Sequence, residues 1–92
     1  MKNLNAEQQR FYALVSRYPI ISSLWNWSEK ELNLKAYENA IQSMNGRDFI
    51  MARFFAGVWL GINQGLDVLD VATLDAPERE VIVCWLADPF WP

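Results

Sequence analysis

The chain has 92 residues, of which 52% are hydrophobic and 21% are charged, so we expect a single globular domain over residues 1–92 rather than a disordered chain. The net charge of −3, without any cluster of Lys and Arg, argues against binding to DNA or RNA, because phosphate backbones require a basic surface. The sequence contains no His, the commonest general base and zinc ligand, and no nucleotide-binding motif, so we predict no enzyme activity, no cofactor and no metal site.

The longest nearly apolar stretch, residues 49–62, is shorter than the roughly 20 residues that a membrane span needs, and it contains Arg53. The first residues lack the basic and apolar regions of a signal peptide, and the single Cys84 cannot form an intramolecular disulfide. These features predict a cytoplasmic protein that does not enter the membrane.

In the N-terminal half, apolar residues at three- and four-residue spacings predict a first helix over residues 5–18, with Asn5 as N-cap and Pro19 as its end. The aromatic segment 20–27 is compatible with a brief helix or with an ordered connector. Ser28 and Glu31 have the spacing of a capping box, so a second, amphipathic helix is predicted to start at Ser28 and to run to about Met44.

A third helix is predicted over about residues 48–63, with Gly65 as its left-handed C-cap. It is apolar on every side, which is typical of the buried central helix of a bundle. A helical turn is expected within residues 66–74, and Asp75, Pro77 and Glu78 predict the start of a fourth helix. A buried strand over residues 81–86 is the alternative. The expected fold is therefore all-α, a compact bundle of four helices around the central one, with a short extra helix as an option.

Two residues of these helices could carry chemistry. Cys84 lies in an apolar run without a basic neighbour, so we predict a core residue rather than a nucleophile. Arg53 is the only charged residue of the central helix beyond its first turn and should pair with a carboxylate, with Asp48, Asp67 and Asp70 as candidates. An arginine at the base of a pocket is the alternative.

Partner binding is predicted in the aromatic connector, the acidic stretch 67–80 and the C-terminal tail. Trp is enriched in binding hot spots, although the terminal rings could equally close the core. The acidic stretch is compatible with a solvated edge or with a surface for a basic protein. The candidate residues are Trp25, Trp27, Asp67, Asp70, Phe90 and Trp91.

From Phe54 to about Ile82, an apolar helix is followed by Gly65-Leu66-Asp67-Val68-Leu69-Asp70 and then by a second helix with an acidic cap. This pattern resembles an uncharacterised family of small helical proteins of proteobacteria and their mobile elements. The resemblance covers about a third of the chain. It implies a bacterial, phage or plasmid origin. It does not point to any particular activity.

Two functions are compatible with these features. The first is a protein–protein interaction module that acts by binding or blocking another protein with a basic surface, with a homodimer as a further option. The alternative is a small-molecule or cation-binding protein, with a pocket between the third and fourth helices near Arg53 and the acidic 67–80 stretch.

Overall fold

A computed structural model describes residues 3–92, which form a mostly helical fold with one small sheet. The elements in chain order are α1 (Ala6–Val15), α2 (Pro19–Ser22), β1 (Trp25–Asn26), β2 (Glu31–Leu32), α3 (Leu34–Ser43), α4 (Gly46–Leu60), α5 (Val68–Val71) and α6 (Ala76–Ala87). The mostly helical class predicted from the sequence is confirmed. The two-stranded sheet was not predicted.

Helix α1 begins as its sequence predicts. Asn5 Oδ1 accepts from the Gln8 backbone amide at 2.8 Å, and Gln8 Oε1 accepts from the Asn5 amide at 3.0 Å, which together satisfy two free amides of the first turn. The helix ends at Val15, and Pro19 becomes the first residue of α2, where a missing amide hydrogen costs nothing. Of the two alternatives left open for residues 20–27, the brief helix forms only as far as Ser22, and the rest of the segment is a turn that leads into β1.

The prediction that a helix starts at Ser28 is wrong. Trp25 pairs with Leu32 and Asn26 with Glu31 in an antiparallel hairpin, so Ser28 lies in its turn. Helix α3 starts six residues later, at Leu34, because Asn33 Oδ1 accepts from the Ala36 amide at 3.0 Å. Pairing the buried Trp25 with the buried Leu32 prevails over the local capping signal of Ser28.

Helix α4 is the longest helix, and seven of its 15 residues are buried. Gly61, not Gly65, is its C-cap, with φ of 68° in the left-handed region that favours glycine. Gly65, with φ of 82°, lies farther along in the loop to α5. The helix is therefore shorter at its C-terminal end than the sequence indicated.

The C-terminal third contains the single helical turn α5 and the longer α6. The helix predicted to begin after Asp75 is confirmed, and the alternative strand over 81–86 is not formed. The Asp75 side chain makes no capping hydrogen bond, and Glu78 is buried instead of reaching back to residue 75. The core position predicted for Cys84 is wrong, because α6 turns Val81 and Ile82 inward and leaves the thiol exposed.

Aromatic rings dominate the core where α1, β1 and α4 meet. The Phe11 ring centroid lies 5.4 Å from that of Trp25, 5.6 Å from that of Phe55 and 5.2 Å from that of Trp59. Edge and tilted contacts of this kind stabilise a small core beyond the area that they bury. Across residues 3–92, every helix falls short of the length and apolarity that a membrane crossing requires.

Candidate functional site

The tryptophans of the predicted connector lie in or against the core. Trp25 is buried on β1, and its indole Nε1 is buried without a hydrogen-bond partner within residues 3–92. Trp27 is half-buried in the hairpin turn. Its ring stacks on that of Trp25 with the centroids 5.8 Å apart, and it makes a T-shaped contact with the Tyr12 ring with the centroids 4.8 Å apart. Both indoles therefore have intramolecular packing roles.

The C-terminal tail divides its two rings between the core and the surface. Phe90 is 6% exposed, lies under the Arg10 guanidinium at 4.1 Å, and accepts a hydrogen bond from Trp85 Nε1 at its carbonyl. Trp91 is 58% exposed and contacts Trp85 edge-on at 5.1 Å. Phe90 closes the core, whereas Trp91 presents most of its ring to the outside.

The acidic residue Asp67 lies just before α5, as its N-cap, and Asp70 lies within α5. Asp67 Oδ1 accepts from the Leu69 amide at 2.8 Å and so caps the helix, while Asp70 is exposed. Between them, Val68 and Leu69 are 77% and 73% exposed. Helix α5 therefore presents two large apolar side chains flanked by two carboxylates, a combination that the sequence analysis did not single out.

Beside α5 lies a cavity of about 380 Å³, here called the apolar groove, between α4, the loop 61–67, α5, α6 and Trp91. Its walls are almost entirely apolar. The side chains that form them include Phe54, Val58, Ile62, Leu66, Val68, Val71, Ile82, Trp85, Leu86 and Trp91. The groove lies where the sequence placed the alternative pocket, next to Arg53.

Arg53 lines the apolar groove without the carboxylate partner that the sequence predicted. Its Nη1 donates to the Gly65 carbonyl at 3.0 Å, and its guanidinium carbon lies 4.1 Å from the centroid of the Phe49 ring. Asp48 pairs with Arg47 instead, and neither Asp67 nor Asp70 reaches Arg53. The prediction of an ion pair is therefore wrong, because a backbone carbonyl and an aromatic face take the place of the carboxylate.

A second cleft, of about 540 Å³, lies between α1 and α6 and was not anticipated. Arg10 on α1 and Arg17, just after the end of that helix, line one wall, and Glu80 and Cys84 line the other. Arg10 already contacts the Phe90 ring, and its Nη2 lies 3.7 Å from Asp88 Oδ2. The seven-residue spacing of the two arginines is the sequence signal that could have revealed this wall.

Two buried tyrosines have perturbed acidity. Burial, and next the charge of Glu78 and the hydrogen bond to it, raise the pKa of Tyr18 above 10.0. Burial is also the main reason that the pKa of Tyr37 is raised. Within residues 3–92, no three His, Cys, Asp or Glu side chains lie close enough together to hold a metal ion.

Comparison of the chain with protein-family models, with curated protein sequences and with solved structures found no match.

Proposed function

We propose that the chain is a protein–protein interaction module that acts by binding or blocking another protein. Its docking face, as we define it, consists of Asp67, Val68, Leu69, Asp70 and Trp91. The observation that carries the proposal is the exposure of Val68 and Leu69, each more than 70% accessible, next to the apolar groove. Clustered apolar side chains that remain exposed in a folded chain are typical of interaction surfaces.

The charge of this region favours a partner with a basic surface. Residues 61–92 contain six Asp and Glu but only one Lys or Arg, which is Arg79. The Arg79 guanidinium donates to the Leu74 carbonyl, in the connection between α5 and α6. A basic partner would be steered toward the carboxylates and held by the apolar side chains between them.

Other features of the sequence remain part of this proposal. The four longest helices, α1, α3, α4 and α6, would form the bundle that supports the docking face. A cytoplasmic location is part of the proposal because the single Cys84 cannot form an intramolecular disulfide. A bacterial or mobile-element origin is part of it because of the family resemblance over residues 54–82. Trp25, Trp27 and Phe90 would support binding from within the core, without touching the partner.

The test is affinity capture with the tagged chain in a lysate of its source cells, comparing two docking-face variants with matched controls. Leu69→Ser removes an exposed apolar side chain from the docking face, and Ile20→Ser removes one from α2. Asp70→Lys and Glu38→Lys make the same charge change on α5 and on α3. A basic protein that Leu69→Ser and Asp70→Lys release, and that both controls retain, supports the proposal.

Two results contradict the docking proposal. Either all four variants capture the same proteins, or none of the captured proteins is basic. Self-association that depends on Leu69, seen by size-exclusion chromatography over a range of concentrations, would identify a second copy of the chain as the occupant instead.

A further inference from the structure

The apolar groove has the size and lining of a small-molecule site. Its volume of about 380 Å³ lies within the usual range of ligand pockets, which combine mostly apolar walls with a few polar groups. Ile62, Val68, Leu86 and Trp91 are exposed where the groove meets the outside, so a ligand has an open entry. A ligand seated there would cover apolar surface that the folded chain leaves in contact with water.

In the part of the chain that the structure describes, Arg53 is the one charged residue that lines the groove, and no carboxylate pairs with it. Among residues 3–92 it makes no ion pair, and one of its five N–H groups donates to the Gly65 carbonyl. Its Nε is buried and has no hydrogen-bond partner among the described residues. A cation beside apolar walls attracts an anion more strongly than a cation in water does, since the local dielectric constant is lower.

We propose that the apolar groove binds an amphipathic carboxylate, with the apolar body along the groove and the anionic headgroup at the Arg53 guanidinium. The two polar side chains that also line that end of the groove are engaged locally. Asn63 Oδ1 accepts from the amides of Gly65 and Leu66, and Gln64 Nε2 donates to the Ile62 carbonyl. Arg53 is therefore the group that selects the charge of the ligand.

Calorimetric titration of the full chain with sodium decanoate, below its micelle-forming concentration, tests this assignment. Decanol and decyltrimethylammonium carry the same alkyl chain with a neutral and a cationic headgroup. We expect decanoate to bind one per chain, at least about tenfold more tightly than either, because a charge-assisted hydrogen bond is lost in both comparisons. Emission from Trp85 and Trp91, which line the groove, provides a second readout.

Variants locate the headgroup. Arg53→Met keeps an apolar stem and should weaken decanoate binding at least about tenfold while leaving decanol binding unchanged. Arg53→Lys should restore part of the loss. Arg17→Met removes a guanidinium from the turn after α1, outside the groove, and should change neither decanoate nor decanol binding.

Three results overturn the assignment: no binding of decanoate, equal binding of decanol, or unchanged decanoate binding by Arg53→Met. If Arg53→Met does not fold, the headgroup comparison in the unaltered chain decides alone. The titration needs no protein partner, so its failure is distinct from failure of the docking proposal.

Discussion

The Tyr18 hydroxyl donates a hydrogen bond to Glu78 Oε2 over 3.3 Å, and both side chains are buried. The contact joins the residue before α2 to the first turn of α6 across 60 positions of sequence. Within the described residues Glu78 makes no ion pair, so the tyrosine is its buried partner. This hydrogen bond ties the first turn of α6 to the segment between α1 and α2.

Loss of the Tyr18 hydroxyl should therefore destabilise the fold. In Tyr18→Phe the buried Glu78 carboxylate loses its donor, which costs about 1–3 kcal/mol of the free energy of unfolding. Urea unfolding measures the change. Glu78→Gln keeps an oxygen that can accept from Tyr18 and should cost less, whereas an unchanged midpoint for Tyr18→Phe would show that the hydrogen bond is not formed.

Stability should fall in alkaline solution, because Tyr18 and Tyr37 have raised pKa values in the folded chain. The unfolded chain releases these protons first, from about the ordinary value of 10.0, so ionisation favours unfolding as the pH rises above it. Melting temperatures between pH 8 and pH 11.5 measure the slope of stability against pH. Tyr18→Phe and Tyr37→Phe should each make it shallower, and a slope that neither variant changes would contradict this.

The two rings of the tail should differ in their effect on stability. Phe90→Ala empties a core position and should cost about 3–5 kcal/mol, while Trp91→Ala should cost about 1 kcal/mol or less because most of its ring is exposed. Thermal unfolding of both variants compares them directly. Equal losses would show that Trp91 also closes the core and is not free for a partner.

The start of α3 can be tested by removing its N-cap. Asn33→Ala should cost about 1 kcal/mol, since the Ala36 amide loses its acceptor. Ser28→Ala, at the position that the sequence favoured, should leave the unfolding free energy nearly unchanged. The opposite ranking of the two variants in urea unfolding would place the helix start at Ser28 after all.

Local signals were sufficient where neighbouring residues alone define an element. A few adjacent residues were enough to predict the Asn5 cap, the end of α1 before Pro19, the all-round apolar α4 and the helix that begins after Asp75. The hairpin was missed because it depends on Trp25 meeting Leu32 across a turn, and each strand has only two residues.

The errors at Cys84 and Arg53 have a different cause. Helix α6 is apolar on several sides, so periodicity could not tell which side would face α4, and Cys84 lies on the side left exposed. Arg53 found a backbone carbonyl, and a carbonyl oxygen has no signature in the sequence. The exposure of Val68 and Leu69 could also be known only from the fold, because it depends on which elements pack against α5.

Site-specific photocrosslinking in the source cells tests the docking proposal most directly. A photoreactive phenylalanine analogue replaces Leu69 on the docking face or, as a control, Ile20 on α2, which is similarly exposed. We predict that position 69 crosslinks to one basic protein and that position 20 does not. Crosslinking to the same proteins from both positions, or none from position 69, would contradict a docking face on α5.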